Sequence, residues 1–195
     1  MATVSDKAAL RADLSRQRAT RSAQTLADAG TLIADRLIAL PQVASASSVA
    51  LYLSTGPEPP TWQLADRLAV SGVRVLAPVT LPDRVLGWAE YVGPDEVRTA
   101  AYGIPEPTTA VLPSEALRDV DVIVVPALAA DAMGHRLGRG AGYYDRALAT
   151  VGESTPRVAV IFDDELLPRV PVEPHDAPVH IVVTPVRTVS CQIDR

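Results

Sequence analysis

The run Asp121-Val122-Ile123-Val124-Val125-Pro126 decides the fold class of this chain. Its four central residues are apolar and β-branched without interruption, which is typical of a central strand in a parallel sheet that is buried on both faces. Apolar runs on either side predict further strands, and the periodic segments between them predict helices. The predicted strands span 48–53, 73–77, 86–91, 157–162 and 180–183, and the predicted helices span 5–40 in two pieces, 61–70 and 142–151.

This alternation of strands and helices forms βαβ units, so we predict an α/β fold with a mostly parallel sheet and helices on both faces. Three local signals mark element ends. Ser5 is the predicted N-cap of the first helix, Pro41 ends the helical region, and Pro78 ends the second strand.

Length and composition exclude several classes of protein. The 195 residues suit one domain, and a single cysteine (Cys191) with three histidines argues against a disulfide framework or a zinc site. Eighteen basic residues against 23 acidic ones argue against a general nucleic-acid-binding protein. No apolar run is long enough to span a bilayer, and the polar N-terminus lacks a signal-peptide pattern. We therefore expect a cytoplasmic protein with no nucleic-acid or membrane partner.

A glycine-rich loop follows the central strand. Residues 134–145 read Gly-His-Arg-Leu-Gly-Arg-Gly-Ala-Gly-Tyr-Tyr-Asp, and ligands of such sheets bind beyond the carboxyl ends of the strands. Glycines allow backbone N–H groups to converge on an anion, while Arg136 and Arg139 could add full charges. The loop has neither the Gly-Lys-Ser/Thr of a P-loop nor the third glycine of the dinucleotide fingerprint, where Tyr143 stands instead. It predicts a phosphate site, and a flexible turn is the alternative.

Three acidic residues lie in loops at the same predicted edge. Asp145 ends the glycine loop and suits Mg²⁺, which takes one or two carboxylates together with phosphate oxygens, although it could merely complement a helix dipole. Asp176, next to His175, could be a second metal ligand or part of a surface turn. Glu58 follows the first strand and could accept hydrogen bonds from a ligand, or interact with the start of the helix at Thr61.

Basic and aromatic residues give two further candidates. Lys7, the only lysine, shares one helical face with Arg11 and Arg18, which could face phosphates or simply solvent. Tyr143 and Tyr144 could line a pocket or pack in the core.

In their order and spacing these motifs resemble those of the 5-formyltetrahydrofolate cyclo-ligase family, also called methenyltetrahydrofolate synthetases. The resemblance covers residues 7 to about 184, nearly the whole chain. Its motifs are Lys7-Ala8-Ala9-Leu10-Arg11, Leu51-Tyr52-Leu53-Ser54 with Glu58 and Thr61, Gly103-Ile104-Pro105-Glu106-Pro107, the run from Arg136 to Asp145, and Val170-Pro171 through His175-Asp176 with Pro178-Val179.

The resemblance implies a role for each matching residue. The implied ATP-binding residues are Lys7, Ala8, Ala9, Leu10, Arg11, Arg136, Leu137, Gly138, Arg139, Gly140, Ala141, Gly142, Tyr143 and Tyr144. The implied folate-binding residues are Leu53, Glu58, Arg139, Gly140, Ala141, Gly142 and Tyr143. Asp145 and Asp176 would be ligands of Mg²⁺, and the implied catalytic residues are Lys7, Arg139 and Asp145.

The resemblance also implies a reaction and an architecture. The reaction is ATP-dependent ring closure of 5-formyltetrahydrofolate to 5,10-methenyltetrahydrofolate through a phosphorylated formyl group, with release of ADP and phosphate. We expect one three-layer α/β sandwich domain over 1–195, with N-terminal helices at about 5–40 and the sheet with its active-site loops at about 48–185. A monomer is the expected state.

Some positions depart from the family pattern, and other functions compete. Ala127, Ala130, Ala141 and Pro185 replace residues that are common in the family, and they bear on pocket shape and nucleotide affinity. A non-catalytic folate- or nucleotide-binding protein is one alternative, against which the presence of Lys7, Glu58 and Asp145 counts. Another α/β enzyme, such as a sugar-phosphate isomerase or acyl transferase, is disfavoured because the glycine loop holds no evident general-base histidine or nucleophilic glutamate.

Overall fold

The computed structural model describes residues 4–173 and 176–193, so the predicted site neighbour His175 lies outside the described residues. Five helices are present in the described ranges: α1 (Val4–Ala19), α2 (Ala23–Ile38), α3 (Pro41–Ala44), α4 (Trp62–Val70) and α5 (Tyr143–Leu148). Ser22 caps α2, because its hydroxyl accepts a hydrogen bond from the Thr25 amide at 3.1 Å. No helix in these ranges is long and apolar enough to cross a membrane.

The strands form one large sheet and two small hairpins. Their bounds are β1 (Ser48–Leu51), β2 (Arg74–Thr80), β3 (Leu86–Glu90), β4 (Val97–Thr99), β5 (Pro105–Pro107), β6 (Val111–Leu112), β7 (Val122–Pro126), β8 (Ala129–Ala130), β9 (Arg136–Leu137), β10 (Arg157–Val160), β11 (Ile181–Val183) and β12 (Thr188–Ser190). The order in the large sheet is β12-β11-β10-β7-β1-β2-β3-β6, while β4–β5 and β8–β9 pair separately.

The five central strands run parallel, and each of the three outer strands pairs antiparallel with its inner neighbour. β7 pairs in parallel with β1 on one side and with β10 on the other, as expected for the strand formed by the most continuous apolar run. Pairing becomes antiparallel only at β3, β6 and β12. The prediction of a mostly parallel α/β sheet is confirmed.

Each face of the sheet carries its own apolar layer. On one face, Ile33 and Leu37 of α2 and Leu64 of α4 are fully buried against alternate residues of β1, β2 and β7. On the other face, Leu117 from a 3-10 segment and Leu148 of α5 cover the remaining alternate residues. The fold is therefore a three-layer arrangement, and both layers are built from side chains that alternate along the strands.

Some predicted element ends are wrong, each for a local reason. Pro78 lies inside β2, because pairing with β1 ends at Leu76 and the missing N–H falls beyond that ladder. Ser5 does not precede the first helix, which already begins at Val4. The helix after the glycine loop ends at Leu148 rather than continuing to Val151.

A buried ion pair attaches α1 to the loop after β10. The Arg18 guanidinium donates from Nε and Nη2 to the two carboxylate oxygens of Glu165, both at 2.7 Å, and also to the carbonyl of Ala127 at 2.6 Å. Arg18 is therefore engaged in the interior and faces neither phosphates nor solvent, so both alternatives given for it above are wrong. Glu165 is completely buried and also accepts a hydrogen bond from the Phe162 amide at 2.9 Å.

We expect Glu165→Gln to lower the free energy of unfolding by on the order of 3 kcal/mol, because a buried guanidinium would lose its counter-charge. The control is Asp164→Asn. Asp164 pairs with Arg21 at 2.6 Å through a side chain that is 57% exposed, so its loss should cost less than about 1 kcal/mol. Urea denaturation of both variants is the measurement, and equal losses would contradict a special role for the buried pair.

Candidate functional site

The candidate site is a small cavity beyond the carboxyl end of β7. Its volume is about 70 Å³. Three segments that are distant in sequence line it: the start of α1, the glycine loop, and the segment after β10. The lining residues are Lys7, Arg11, Arg136, Leu137, Gly138, Gly140, Gly142, Asp145, Glu173 and Asp176.

The glycine loop and α1 lie in direct contact. The Arg11 side chain donates from Nε to the carbonyl of Gly138 at 2.9 Å. Gly140 has a φ of +95°, and a Cβ there would lie 3.2 Å from the Arg11 guanidinium carbon. Glycine at 140 thus serves both a backbone conformation that other residues rarely adopt and a close approach to an arginine.

Lys7 is buried at the floor of this cavity. Its ammonium Nζ lies 2.7 Å from Oδ2 of Asp176 and 3.5 Å from Oε2 of Glu173. Only 5% of the residue is exposed, so this positive charge is held in a partly desolvated place by carboxylates from the far end of the chain.

Arg136 and Asp145 pair across the loop. The two residues stand at opposite ends of the glycine run, and the Arg136 Nη2 donates to Oδ1 of Asp145. The Nε of Arg136 is buried and finds no hydrogen-bond partner among the described residues. A buried N–H group without a partner at a cavity wall is a position where an incoming anion would recover a lost hydrogen bond.

A second ion pair lies beside the cavity. Arg139 donates from Nε to Oε1 of Glu58 at 3.1 Å, and its Nη2 lies 2.9 Å from the same oxygen. Glu58 is buried while Arg139 is mostly exposed, and the other carboxylate oxygen accepts from the Thr55 amide at 2.9 Å.

The loop that carries Glu58 is closed by reciprocal hydrogen bonds. The Ser54 amide donates to the Thr61 hydroxyl, and the Thr61 amide donates to the Ser54 hydroxyl, both at 3.1 Å. These bonds explain why a serine and a threonine flank the glutamate at that spacing. They fix the loop at its two ends, so that Glu58 is presented from a rigid support.

The two tyrosines after the glycines pack into the interior. Tyr143 and Tyr144 both contact the apolar layer that includes Leu148, and Tyr144 also contacts the layer of Ile33. The Tyr144 hydroxyl is buried with no hydrogen-bond partner in the ranges the structure describes. Burial, with the Glu58 carboxylate nearby, raises the pKa of Tyr144 well above its usual value, so the phenol stays protonated at neutral pH.

Not every residue of the matching motifs reaches the cavity. Ala8 and Ala9 are exposed on α1, and Leu10 packs beside Leu14 instead. Ala141 is also exposed, and its carbonyl accepts a hydrogen bond from Arg146 at 3.0 Å. Leu53 is buried at the end of β1.

Sequence reasoning missed two acidic residues at this edge. Glu173 lines the cavity, and only its place in the Pro-rich segment before β11 signalled it. Glu106, quoted above only as part of a motif, is buried and accepts a hydrogen bond from the Thr80 amide at 2.8 Å, at the carboxyl end of β2.

The carboxylates of the cavity suit a nucleotide-bound cation better than a protein-held one. Asp145, Glu173 and Asp176 line the same space, but in 4–173 and 176–193 no three acidic, histidine or cysteine side chains form a metal-binding group. Mg²⁺ that is held mainly by phosphate oxygens and water needs only one or two carboxylates, so this donor set fits.

Comparison with known proteins identifies the family of this chain. The sequence profile described as the 5-formyltetrahydrofolate cyclo-ligase family matches residues 3–185. The 5-formyltetrahydrofolate cyclo-ligase of Mycolicibacterium smegmatis is 43% identical over 148 residues, covering 73% of this chain and 76% of the relative. The enzyme of the same name from Escherichia coli K12 is 35% identical over 159 residues, covering 80% and 87%.

A solved structure agrees over almost the full length. The NMR structure of Aquifex aeolicus 5,10-methenyltetrahydrofolate synthetase superposes with a TM-score of 0.82 at 27% identity, covering 97% of this chain and 94% of that one. The profile match, the relatives and the shared fold lead to one conclusion: the chain belongs to the 5-formyltetrahydrofolate cyclo-ligase family.

Proposed function

We propose that this protein closes the ring of 5-formyltetrahydrofolate to 5,10-methenyltetrahydrofolate at the expense of ATP. One observation carries the proposal: the run from Arg136 to Asp145, the most specific motif of the chain, lines a cavity together with the buried Lys7. A glycine-lined cavity with several fixed positive charges is suited to phosphate groups.

The cavity would receive the phosphates of ATP rather than the whole nucleotide. Its volume of about 70 Å³ is far below the roughly 300 to 1,000 Å³ of sites that enclose a complete small molecule. Lys7, Arg11 and Arg136 would supply the positive charge, and Arg139 stands at the rim. The remaining parts of the ATP motif, Ala8, Ala9, Leu10, Ala141, Tyr143 and Tyr144, would support or border this site.

Mg²⁺ is the cation we propose for the nucleotide, with Asp145 and Asp176 as its protein ligands. When bound, it would neutralise phosphate charge and hold the triphosphate in one conformation. Asp145 and Asp176 are already placed at the cavity by Arg136 and Lys7, respectively. Phosphate oxygens could therefore take over those cations while the carboxylates turn to the metal.

Folate would bind on the side of Glu58. Its carboxylate can accept hydrogen bonds from N–H groups of the pterin ring, and Leu53, buried just after β1, would support the site from beneath. Arg139, Gly140, Ala141, Gly142 and Tyr143 would border both substrates, since the loop runs from the cavity towards Glu58. This arrangement would bring the γ-phosphate towards the formyl group.

The chemistry needs alignment and charge stabilisation rather than a protein nucleophile. The formyl oxygen attacks the γ-phosphorus, the bond to the ADP oxygen breaks, and an iminium phosphate forms at the carbon attached to N5. N10 then attacks that carbon and loses its proton, and the carbon–oxygen bond breaks to release phosphate. Lys7 and Arg139 would stabilise the charge that develops on the transferred group, and Asp145 would keep Arg136 and the metal in place.

We further propose that the chain works as one domain, as a monomer in the cytoplasm. The mildly acidic charge supports small-molecule substrates over nucleic acid, and the lone cysteine suits a reducing compartment. The alternative function, a protein that binds folate or nucleotide without turnover, would use the same cavity.

Absorbance in the near ultraviolet tests the reaction directly. We expect the methenyl chromophore to grow when the protein is mixed with 5-formyltetrahydrofolate, Mg²⁺ and ATP, and not when ATP is omitted. A flat trace from folded protein would contradict the proposal. Ligand-induced shifts in melting temperature would then show whether the alternative, binding without turnover, holds.

Lys7→Met should raise the KM for ATP by about tenfold or more, since it removes a charged partner of the phosphates. Arg16→Met is the matched control, because Arg16 lies on the same helix with a side chain that is 73% exposed. Steady-state kinetics with varied ATP is the measurement. The same KM in both variants would remove Lys7 from the nucleotide site.

Glu58→Gln should raise the KM for 5-formyltetrahydrofolate by about tenfold while changing the KM for ATP much less, since a neutral amide accepts weaker hydrogen bonds. Glu90→Gln is the control. Glu90 ends β3 at the opposite edge of the sheet, where its exposed side chain pairs only loosely with Arg74 at 3.4 Å. An effect of Glu58→Gln on ATP alone would contradict the folate assignment.

A further inference from the structure

A buried aspartate that the reaction scheme does not use lies behind the cavity. Asp131 is 1% exposed and follows β8 directly. Its Oδ1 accepts from the amides of Met133 and His135, both at 3.0 Å. Its Oδ2 accepts from the Val170 amide at 2.9 Å and lies 3.0 Å from Nδ1 of His135. All these donors come from two segments, residues 133–135 and Val170.

The same turn holds a second distant amide through its backbone. Residues 131–134 form the turn of the β8–β9 hairpin, and the Gly134 carbonyl accepts from the Val179 amide at 2.9 Å. Gly134 has a φ of +86°, and a Cβ there would lie only 2.4 Å from the Val179 carbonyl oxygen. A residue with a Cβ at position 134 would displace either this turn or the backbone at Val179.

One turn therefore holds both ends of residues 170–179, which we call the acidic segment. Val170 is held by the Asp131 carboxylate and Val179 by Gly134, and between them lie Glu173 and Asp176, the residues that face Lys7. On its other side the same turn leads straight into β9, whose first residue is Arg136.

Both segments contribute walls to the cavity. The acidic wall, Glu173 and Asp176, would turn towards a cation, while the basic wall begins at Arg136. The separation of these two walls is set by a hairpin turn that does not itself line the cavity. A carboxylate is suited to this task, because it accepts several N–H groups at once and cannot be replaced by an amide without turning one acceptor into a donor.

We propose that Asp131 and Gly134 are positioning residues that set the spacing between the acidic and basic walls, and so the affinity for a metal-bound nucleotide. This inference rests on the proposed function. A merely structural role would lower stability without changing the affinity of the folded protein. A positioning role changes affinity for the nucleotide and leaves the folate side, built on β1 and Glu58, unaffected.

Asp131→Asn is the primary variant and Asp121→Asn its control. Asp121 also accepts backbone amides, from Ser47 at 2.8 Å and Ser48 at 2.9 Å, and these bonds lower the pKa of its carboxyl. It lies at the amino ends of β1 and β7, the edge of the sheet opposite the cavity. Both variants replace a carboxylate that accepts backbone N–H groups with a neutral amide. Asp121 accepts the two amides through Oδ2 alone, whereas Asp131 uses both of its oxygens and holds a segment that lines the cavity.

Three measurements on the full chain decide the matter. Amide hydrogen exchange by NMR reports whether Val170 is released, with Val158 in β10 as the internal standard for global opening. Calorimetric titration with Mg²⁺ and a non-hydrolysable ATP analogue gives the nucleotide affinity. Steady-state kinetics give the KM for 5-formyltetrahydrofolate.

In Asp131→Asn we expect amide exchange at Val170 to accelerate, relative to wild type, more than exchange at Val158. We also expect about tenfold weaker nucleotide binding and a folate KM within about twofold of wild type. Asp121→Asn should bind the nucleotide as wild type does. Gly134→Ala provides a second test from the other anchor, should Asp131→Asn fail to fold, and it should release Val179 with the same loss of affinity.

Wild-type affinity in folded Asp131→Asn or Gly134→Ala would overturn the positioning roles and leave the proposed function intact. Equal losses of affinity in Asp131→Asn and Asp121→Asn would overturn them as well, since the effect would then be one of general stability. Failure of the wild-type protein to bind the nucleotide at all would instead overturn the proposed function, and the inference with it.

Discussion

The need to neutralise buried charge organises the functional edge of this protein. An ionised side chain that leaves water without a partner destabilises the fold by several kcal/mol, so each such group must be met by one from elsewhere. Here the partners are remote in sequence: Lys7 meets Asp176, and Arg18 meets Glu165. The parallel sheet brings the carboxyl ends of its strands to one edge, and these ion pairs then attach α1 across it.

This arrangement would also let the cavity respond to the proposed ligands. Positive groups that were left unpaired would make the empty protein unstable, whereas groups locked in strong pairs would not release to a substrate. Ion pairs at a cavity wall fall between these limits. An incoming anion can bind the positive member of a pair while the cation that accompanies it binds the carboxylate. Arg136 with Asp145, and Lys7 with Asp176, are placed for such an exchange. Arg18 with Glu165 is placed more deeply and serves only to hold α1.

The sequence predicted the features that local chemistry controls. The run at 121–126 predicted the central strand, because continuous β-branched residues are typical of a strand buried on both faces. The glycine spacing at 138–142 predicted a loop that approaches an anionic ligand, and the group that the structure places against Gly140 is the Arg11 guanidinium. The sequence could not predict the partner of Arg18, since a helical stripe has the same pattern whether it faces solvent or a buried carboxylate. Glu173 was missed for the same reason: its importance depends on a contact with Lys7 that only the folded chain creates.

The short β8–β9 hairpin shows why the remaining part was beyond reach. Two-residue strands have no periodicity to detect, and the role of Asp131 depends on backbone amides, which carry no signature in the sequence. Yet the chain that leaves this hairpin carries two arginines with different partners. Arg136 lines the cavity proposed for phosphate, whereas Arg139, three residues later, pairs with Glu58 on the side proposed for folate. The proposed reaction joins a phosphate to a formyl oxygen and so requires both substrates within bonding distance. One short loop that borders both proposed sites would be a direct way to meet that requirement.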